Sequence, residues 1–102
     1  MQTLEQLKDG QLNGVKHLNL VANLTHFPME ILALADSLEV LDLSNNLLES
    51  LPADFACLKN LKIVFLSNNK FKTLPSVLAK CAKLEMIGIK ANQLTSVPEN
   101  SL

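Results

Sequence analysis

The sequence predicts an α/β solenoid, in which similar units stack and each unit contributes one strand to a parallel sheet. Three regularities predict it. Asparagine recurs every 23 residues, apolar residues recur in a fixed frame before each asparagine, and an apolar–proline pair follows each one. The chain of 102 residues is 48% apolar and 19% charged, which allows one ordinary folded domain.

The apolar frame alternates as a buried strand does. In the second unit it reads Leu-x-x-Leu-x-Leu-x-x-Asn-x-Leu, from Leu38 to Leu48. The units that start at Leu61 and Leu84 repeat this frame, and the unit that starts at Val15 follows it with one residue missing between Asn23 and Pro28. Side chains two positions apart share one face of a strand, so the frame residues fill a core that no unit closes alone.

The recurring asparagines end the predicted strands. An asparagine amide both donates and accepts hydrogen bonds, so it can pair the main-chain groups that a turn leaves open. We expect a buried structural ladder rather than a ligand site, formed by Asn23, Asn46, Asn69 and Asn92. After each proline, apolar residues three positions apart predict a short helix or 3₁₀ turn on the other side of the sheet, with a longer segment in the first unit.

A capping helix is predicted before the first unit, over residues 3–9. Thr3 and Gln6 fit a capping box, and Gly10 is placed to end the helix. The predicted organisation is therefore a capping helix and linker at 1–14 and four units at 15–102. These units span 15–37, 38–60, 61–83 and an incomplete 84–102.

These motifs resemble the leucine-rich repeat family, in its 23-residue intracellular class with Leu-Pro in each unit, over residues 15–102. The resemblance implies a right-handed solenoid with its parallel sheet on the concave face and short helices or 3₁₀ turns on the convex face. It also implies a non-catalytic module that binds a protein or peptide through the concave sheet.

A second resemblance concerns the opening residues 1–14 together with Lys90-Ala91-Asn92. They are similar to the N-terminal repeat segment of bacterial leucine-rich repeat protein kinases. This similarity implies an alternative function, a docking or regulatory segment whose catalytic domain lies further along. The sequence itself contains no Gly-rich loop, His-Arg-Asp triplet or Asp-Phe-Gly triplet.

The residues between the frame positions are predicted to line the concave face, because successive side chains of a strand alternate. An apolar patch with a polar rim results, and we expect it to be the partner-binding site: Val40, Asp42, Ile63, Phe65, Met86 and Lys90. Exposed apolar patches are typical of docking surfaces. Since β-branched and aromatic residues also favour strands for lateral packing, both interpretations stay open.

A charged row precedes this patch and alternates in sign from unit to unit: Lys16, Glu39, Lys62 and Glu85. Such a row predicts ion pairs between neighbouring strands. Exposed pairs contribute only about 0–1 kcal/mol each, so we expect the row to favour the correct register rather than to form a site.

Composition excludes several classes of function. Nine Lys and Arg against ten Asp and Glu give a net charge of −1, which offers no electrostatic support for nucleic acid or a membrane surface. His, Cys and Gly residues form no metal, nucleophile or phosphate-binding motif, so we predict no catalysis, metal or other cofactor. Two free cysteines, with Cys81 in the core and Cys57 at the surface, and the absence of an export signal predict a cytoplasmic protein.

The fourth unit stops at Leu102, before its convex segment is complete. We expect either that the native chain continues or that another molecule covers this end. Self-association through the uncapped last unit is one such arrangement.

Overall fold

The computed structural model describes residues 2–95, and it has the solenoid architecture that the sequence predicts. Four short strands pair in parallel in chain order, and each is followed or preceded by a helical segment on the opposite side. With η for 3₁₀ helices, the elements are α1 Leu4–Lys8, β1 His17–Asn19, η1 Met29–Leu34, β2 Val40–Asp42, η2 Ala53–Cys57, β3 Ile63–Phe65, η3 Ser76–Lys80 and β4 Met86–Gly88. Residues 96–102 of the fourth unit, which include its Val97-Pro98 pair, lie outside the described residues.

The strand register follows the 23-residue spacing. Val40 of β2 pairs with Ile63 of β3, which pairs with Met86 of β4, and Leu41 pairs with Val64 in the same way. Equivalent residues of neighbouring units therefore lie side by side, about 4.8 Å apart in the hydrogen-bonding direction. Every row of the sequence frame becomes a physical row across the sheet.

The core lies between the sheet and the 3₁₀ helices. Leu41 and Val64 point into it from the strands, and Ile31 and Phe55 meet them from η1 and η2, all with no exposed surface. The Phe55 ring contacts the Phe27 ring edge to face, with centroids 5.4 Å apart. The first convex segment has six residues against five in η2 and η3, in agreement with the longer segment expected there.

Helix α1 closes the first unit, and its ends are formed as predicted. The Thr3 side chain accepts from the Gln6 amide and the Gln6 side chain accepts from the Thr3 amide, which completes the capping box. Gly10, at φ +85°, ends the helix in the left-handed conformation that glycine tolerates. Leu7 is buried against the core. The boundaries of the units themselves stay a prediction.

Gln2 makes a contact that the sequence did not reveal. Its side-chain amide donates to the His17 carbonyl at 2.9 Å, and its side-chain oxygen accepts from the Asn19 amide at 2.8 Å. These two bonds occupy the outer edge of β1 as a neighbouring strand would. The edge of the sheet is thus closed by one side chain.

No helix among residues 2–95 is both long enough and apolar enough to span a membrane.

Candidate functional site

The asparagines of the predicted ladder lie at the rim of the sheet, where the strands end; Asn46 and Asn69 are buried and Asn92 is half-buried. The Asn46 amide donates to the Leu20 and Leu43 carbonyls at 2.9 Å each, and its oxygen accepts from the Leu24 amide at 3.1 Å. Asn69 makes the equivalent bonds one unit later, and Asn92 bonds to the Phe71 amide and to main-chain carbonyls of its own and the preceding unit. Because main-chain groups take up both ends of each amide, these residues are structural rather than ligand-binding.

The predicted ladder has three members, and the prediction is wrong for Asn23. Asn23 is exposed and adopts φ +50°, a left-handed conformation. The reason is the length of the turn. Leu24 takes the place that Leu48 has in the second unit, so four positions separate it from Leu20 where five separate Leu48 from Leu43. The missing residue therefore lies between Leu20 and Leu24, not after Asn23, and the inward-pointing ladder position is the one lost.

A second asparagine column lies beside the first, and sequence reasoning missed it. Asn45 and Asn68 adopt φ +64° and +53°, and the Asn68 amide donates to the Asn45 side-chain oxygen at 2.8 Å. Ala91 has the same conformation in the fourth unit, at φ +56°. Asparagine tolerates this conformation better than most residues, so the Asn-Asn pairs at 45–46 and 68–69 were the available signal.

The open face of the sheet, which is the concave side of such a solenoid, brings the predicted binding residues together. Val40, Ile63 and Met86 form one row, and Asp42 and Phe65 lie in the next row of β2 and β3. We call Val40, Ile63, Met86 and Phe65 the apolar strip. Met86 is 52% exposed, whereas the other three are half-buried because neighbouring strands cover part of each side chain. The strip is continuous across β2, β3 and β4.

Phe65 owes its position to Gly88. A Cβ atom on Gly88 would lie 3.0 Å from Cδ1 of the Phe65 ring and 3.7 Å from the Ser67 hydroxyl. The ring therefore leans toward β4 over the space that glycine leaves empty. Asp42 lies on the other side of Phe65 in the same row.

Two charged groups border the strip. The Asp42 side chain is half-buried, and one of its carboxylate oxygens accepts from the Ser44 amide at 2.9 Å. Lys90 is exposed in the row that follows the row of Asp42 and Phe65, and this row also contains Ser44 and Ser67. Within residues 2–95 neither charge forms an ion pair. Both are therefore available to a binding partner.

The charged row before the strip forms one contact. The Nζ atom of Lys62 lies 3.8 Å from Oε1 of Glu39, and this is the one ion pair of the row in the part of the chain that the structure describes. Both side chains are substantially exposed, so the pair contributes little stability. Within the described residues the other neighbouring charges of the row are not within ion-pair distance, so the continuous charge ladder that the alternation predicts is not formed.

The two cysteines lie where the sequence predicts them. Cys57 is exposed, and Cys81 is buried, with a pKa raised above the ordinary thiol value by burial. A raised pKa keeps the Cys81 thiol protonated and unreactive. Among residues 2–95 no three His, Cys, Asp or Glu side chains are arranged to hold a metal ion.

Comparisons with known proteins bear on the sequence frame. The family model described as leucine rich repeat matches residues 13–71 and 36–94. Twenty-six chains of solved structures match, among them a leucine-rich repeat protein of Leptospira interrogans. That protein is 39% identical, with a TM-score of 0.75 over 90% of this chain. The chain spans only 24% of the Leptospira protein's length. None of the curated proteins matches.

Proposed function

This chain belongs to the leucine-rich repeat family, and we propose that it is a protein-interaction module that binds a protein or peptide through the apolar strip and its two flanking charges. Solenoids of this kind commonly use their extended concave surfaces for binding. The repeats of the family are typically non-catalytic, and we propose that these residues act by binding alone. The proposed site comprises Val40, Asp42, Ile63, Phe65, Met86 and Lys90.

One observation carries the proposal, namely the contrast between the apolar strip and the rows on either side of it. Val40, Ile63 and Met86 lie in register with a charged row on one side, and on the other side the row that contains Phe65 separates them from a row that is polar in the second, third and fourth units. Strand propensity alone would favour β-branched and aromatic residues in all of these rows. Their restriction to the strip supports a surface that excludes water when a partner docks.

The function is tested by placing a charge in the strip. Ile63→Glu introduces a carboxylate at its centre, and Leu74→Glu places the same charge at an apolar side chain that is 54% exposed outside the sheet. We expect the wild type and the Leu74→Glu variant to capture the same proteins from cell extract. The Ile63→Glu variant should no longer capture them. Reconstitution of a captured protein with the purified chain should show binding weakened at least about tenfold.

The control for this experiment is thermal unfolding of both variants, which should be cooperative and close to the wild type. A folded Ile63→Glu variant that binds the reconstituted partner as tightly as the wild type would contradict the proposal. Binding lost equally with Leu74→Glu would also contradict it, because the effect would then not belong to the sheet.

Two finer proposals concern the setting of the module. The similarity of residues 1–14 and 90–92 to bacterial leucine-rich repeat protein kinases supports a role as the docking segment of a longer signalling enzyme. The coding sequence after Leu102 tests it, and a continuation without kinase triplets would contradict it. The free thiols of Cys57 and Cys81 support a reducing, cytoplasmic location, which localisation of the tagged protein would check.

A further inference from the structure

The spacing of the apolar strip favours one kind of partner element over another. The three strands that carry it lie about 4.8 Å apart, so Val40 and Met86 are separated by about 10 Å across the sheet. Along an α-helix, residues i, i+4 and i+7 on one face span about 10.5 Å. Three alternate residues of an extended chain span about 13 Å and would fall out of step with the strands.

The charges beside the strip add a second constraint. Asp42 is half-buried next to Phe65 in the sheet register, and one of its carboxylate oxygens accepts from the Ser44 amide. Lys90 lies two strands further along and two residues beyond the row of Asp42, which together correspond to about 12 Å. Two turns of an α-helix advance by about 11 Å. A helix that crosses the strands can therefore present a cation to Asp42 and an anion to Lys90.

We propose, on the basis of the function proposed above, that the element recognised by the open face is an amphipathic α-helix lying across the strands. Its apolar residues at i, i+4 and i+7 contact Val40, Ile63 and Met86. A Lys or Arg on the same helix pairs with Asp42, and an Asp or Glu two turns away pairs with Lys90. Charge-assisted hydrogen bonds of this kind fix the register and direction of the helix.

Selection from two displayed peptide libraries tests this inference. One library randomises the positions of one face of an Ala-, Glu- and Lys-rich helical scaffold, and the other randomises the same number of alternate positions in an extended, proline-flanked segment. Both are selected against the purified chain, and the Ile63→Glu variant removes peptides that bind elsewhere. Selected peptides are then measured against Asp42→Asn, with Asp54→Asn on η2 as the matched control.

Asp42→Asn retains the oxygen that accepts from Ser44 and removes only the charge. We expect helical peptides with the predicted apolar spacing and a Lys or Arg, whose binding weakens about tenfold with Asp42→Asn and not with Asp54→Asn. Extended peptides that depend on Ile63, or helical peptides indifferent to Asp42→Asn, would overturn the helix inference and leave the interaction module standing. If neither library yields a peptide whose binding depends on Ile63, both the helix inference and the interaction module are overturned.

Discussion

Two asparagine columns run side by side along this solenoid, and the same side chain does different work in each. Asn46 and Asn69 are buried and bond to main-chain groups of two units. Asn45 and Asn68, one residue earlier, are exposed and stand in a left-handed conformation. The buried column requires asparagine for its hydrogen bonds, and the exposed column requires a residue that tolerates the left-handed backbone conformation. Substitutions that separate these two properties should therefore affect the columns differently.

The largest effect is expected in the buried column. Asn69→Ala leaves the buried Leu48 amide without its partner and removes one of the two side-chain donors to each of the Leu43 and Leu66 carbonyls. Because buried main-chain groups lose their hydrogen bonds, we expect the free energy of unfolding to fall by about 2–4 kcal/mol. Urea unfolding followed by circular dichroism measures it. Asn23→Ala is the comparison, and an equal loss there would contradict the assignment of Asn23 outside the ladder.

A smaller effect is expected in the exposed column. Asn68→Ala keeps the backbone bonds but places an ordinary side chain at φ +53° and removes the amide bond to Asn45. We expect a loss of about 1–2 kcal/mol in the free energy of unfolding. Asn68→Gly, which restores backbone tolerance without the amide, should recover most of it. If glycine destabilises as much as alanine, the side-chain bond rather than the conformation maintains this column.

The smallest effect has the opposite sign. Ala91 occupies the exposed column of the fourth unit at φ +56°, where an alanine is strained. Ala91→Gly should raise the free energy of unfolding by about 0.5–1 kcal/mol. Ala79→Gly in η3 is the control, and there the same replacement should lower stability by about 0.5–1 kcal/mol because helical backbone suits alanine. Equal signs at the two sites would contradict the role given to backbone conformation.

The regular part of the fold was predictable because the frame repeats. Alternation about Leu41 and Val64 correctly assigned the buried rows of the first three units, since the register copies the sequence spacing, whereas Ile87 in the same row of the fourth unit is 38% exposed. The failure at Asn23 has a physical origin. Asn23 lies 23 residues before Asn46, so counting aligns it with the ladder position. The sequence does not indicate whether the missing residue of the first unit lies before or after Asn23.

Other features of the site depended on contacts between distant residues. The lean of Phe65 over Gly88 requires knowing that the two lie on neighbouring strands in register, and that the glycine leaves room. The bonding of Gln2 to β1 joins residues 15 and 17 positions apart, with no periodic signal to announce it. The exposed column was visible as Asn-Asn pairs, but the alanine at 91 interrupts the pattern.

The Gln2 contact has a consequence for protein engineering. Repeat arrays built by concatenating identical units need a separate solution for the first strand, whose outer edge otherwise recruits other chains. Here the segment before the first unit provides this solution. Its helix is capped at both ends, and the Gln2 side-chain amide forms hydrogen bonds to the outer edge of β1 as a neighbouring strand would. Residues 2–14 thus act as a terminator of the first unit, and another array of the same 23-residue spacing would need a first unit whose core receives Leu7 and Leu12 in order to use it.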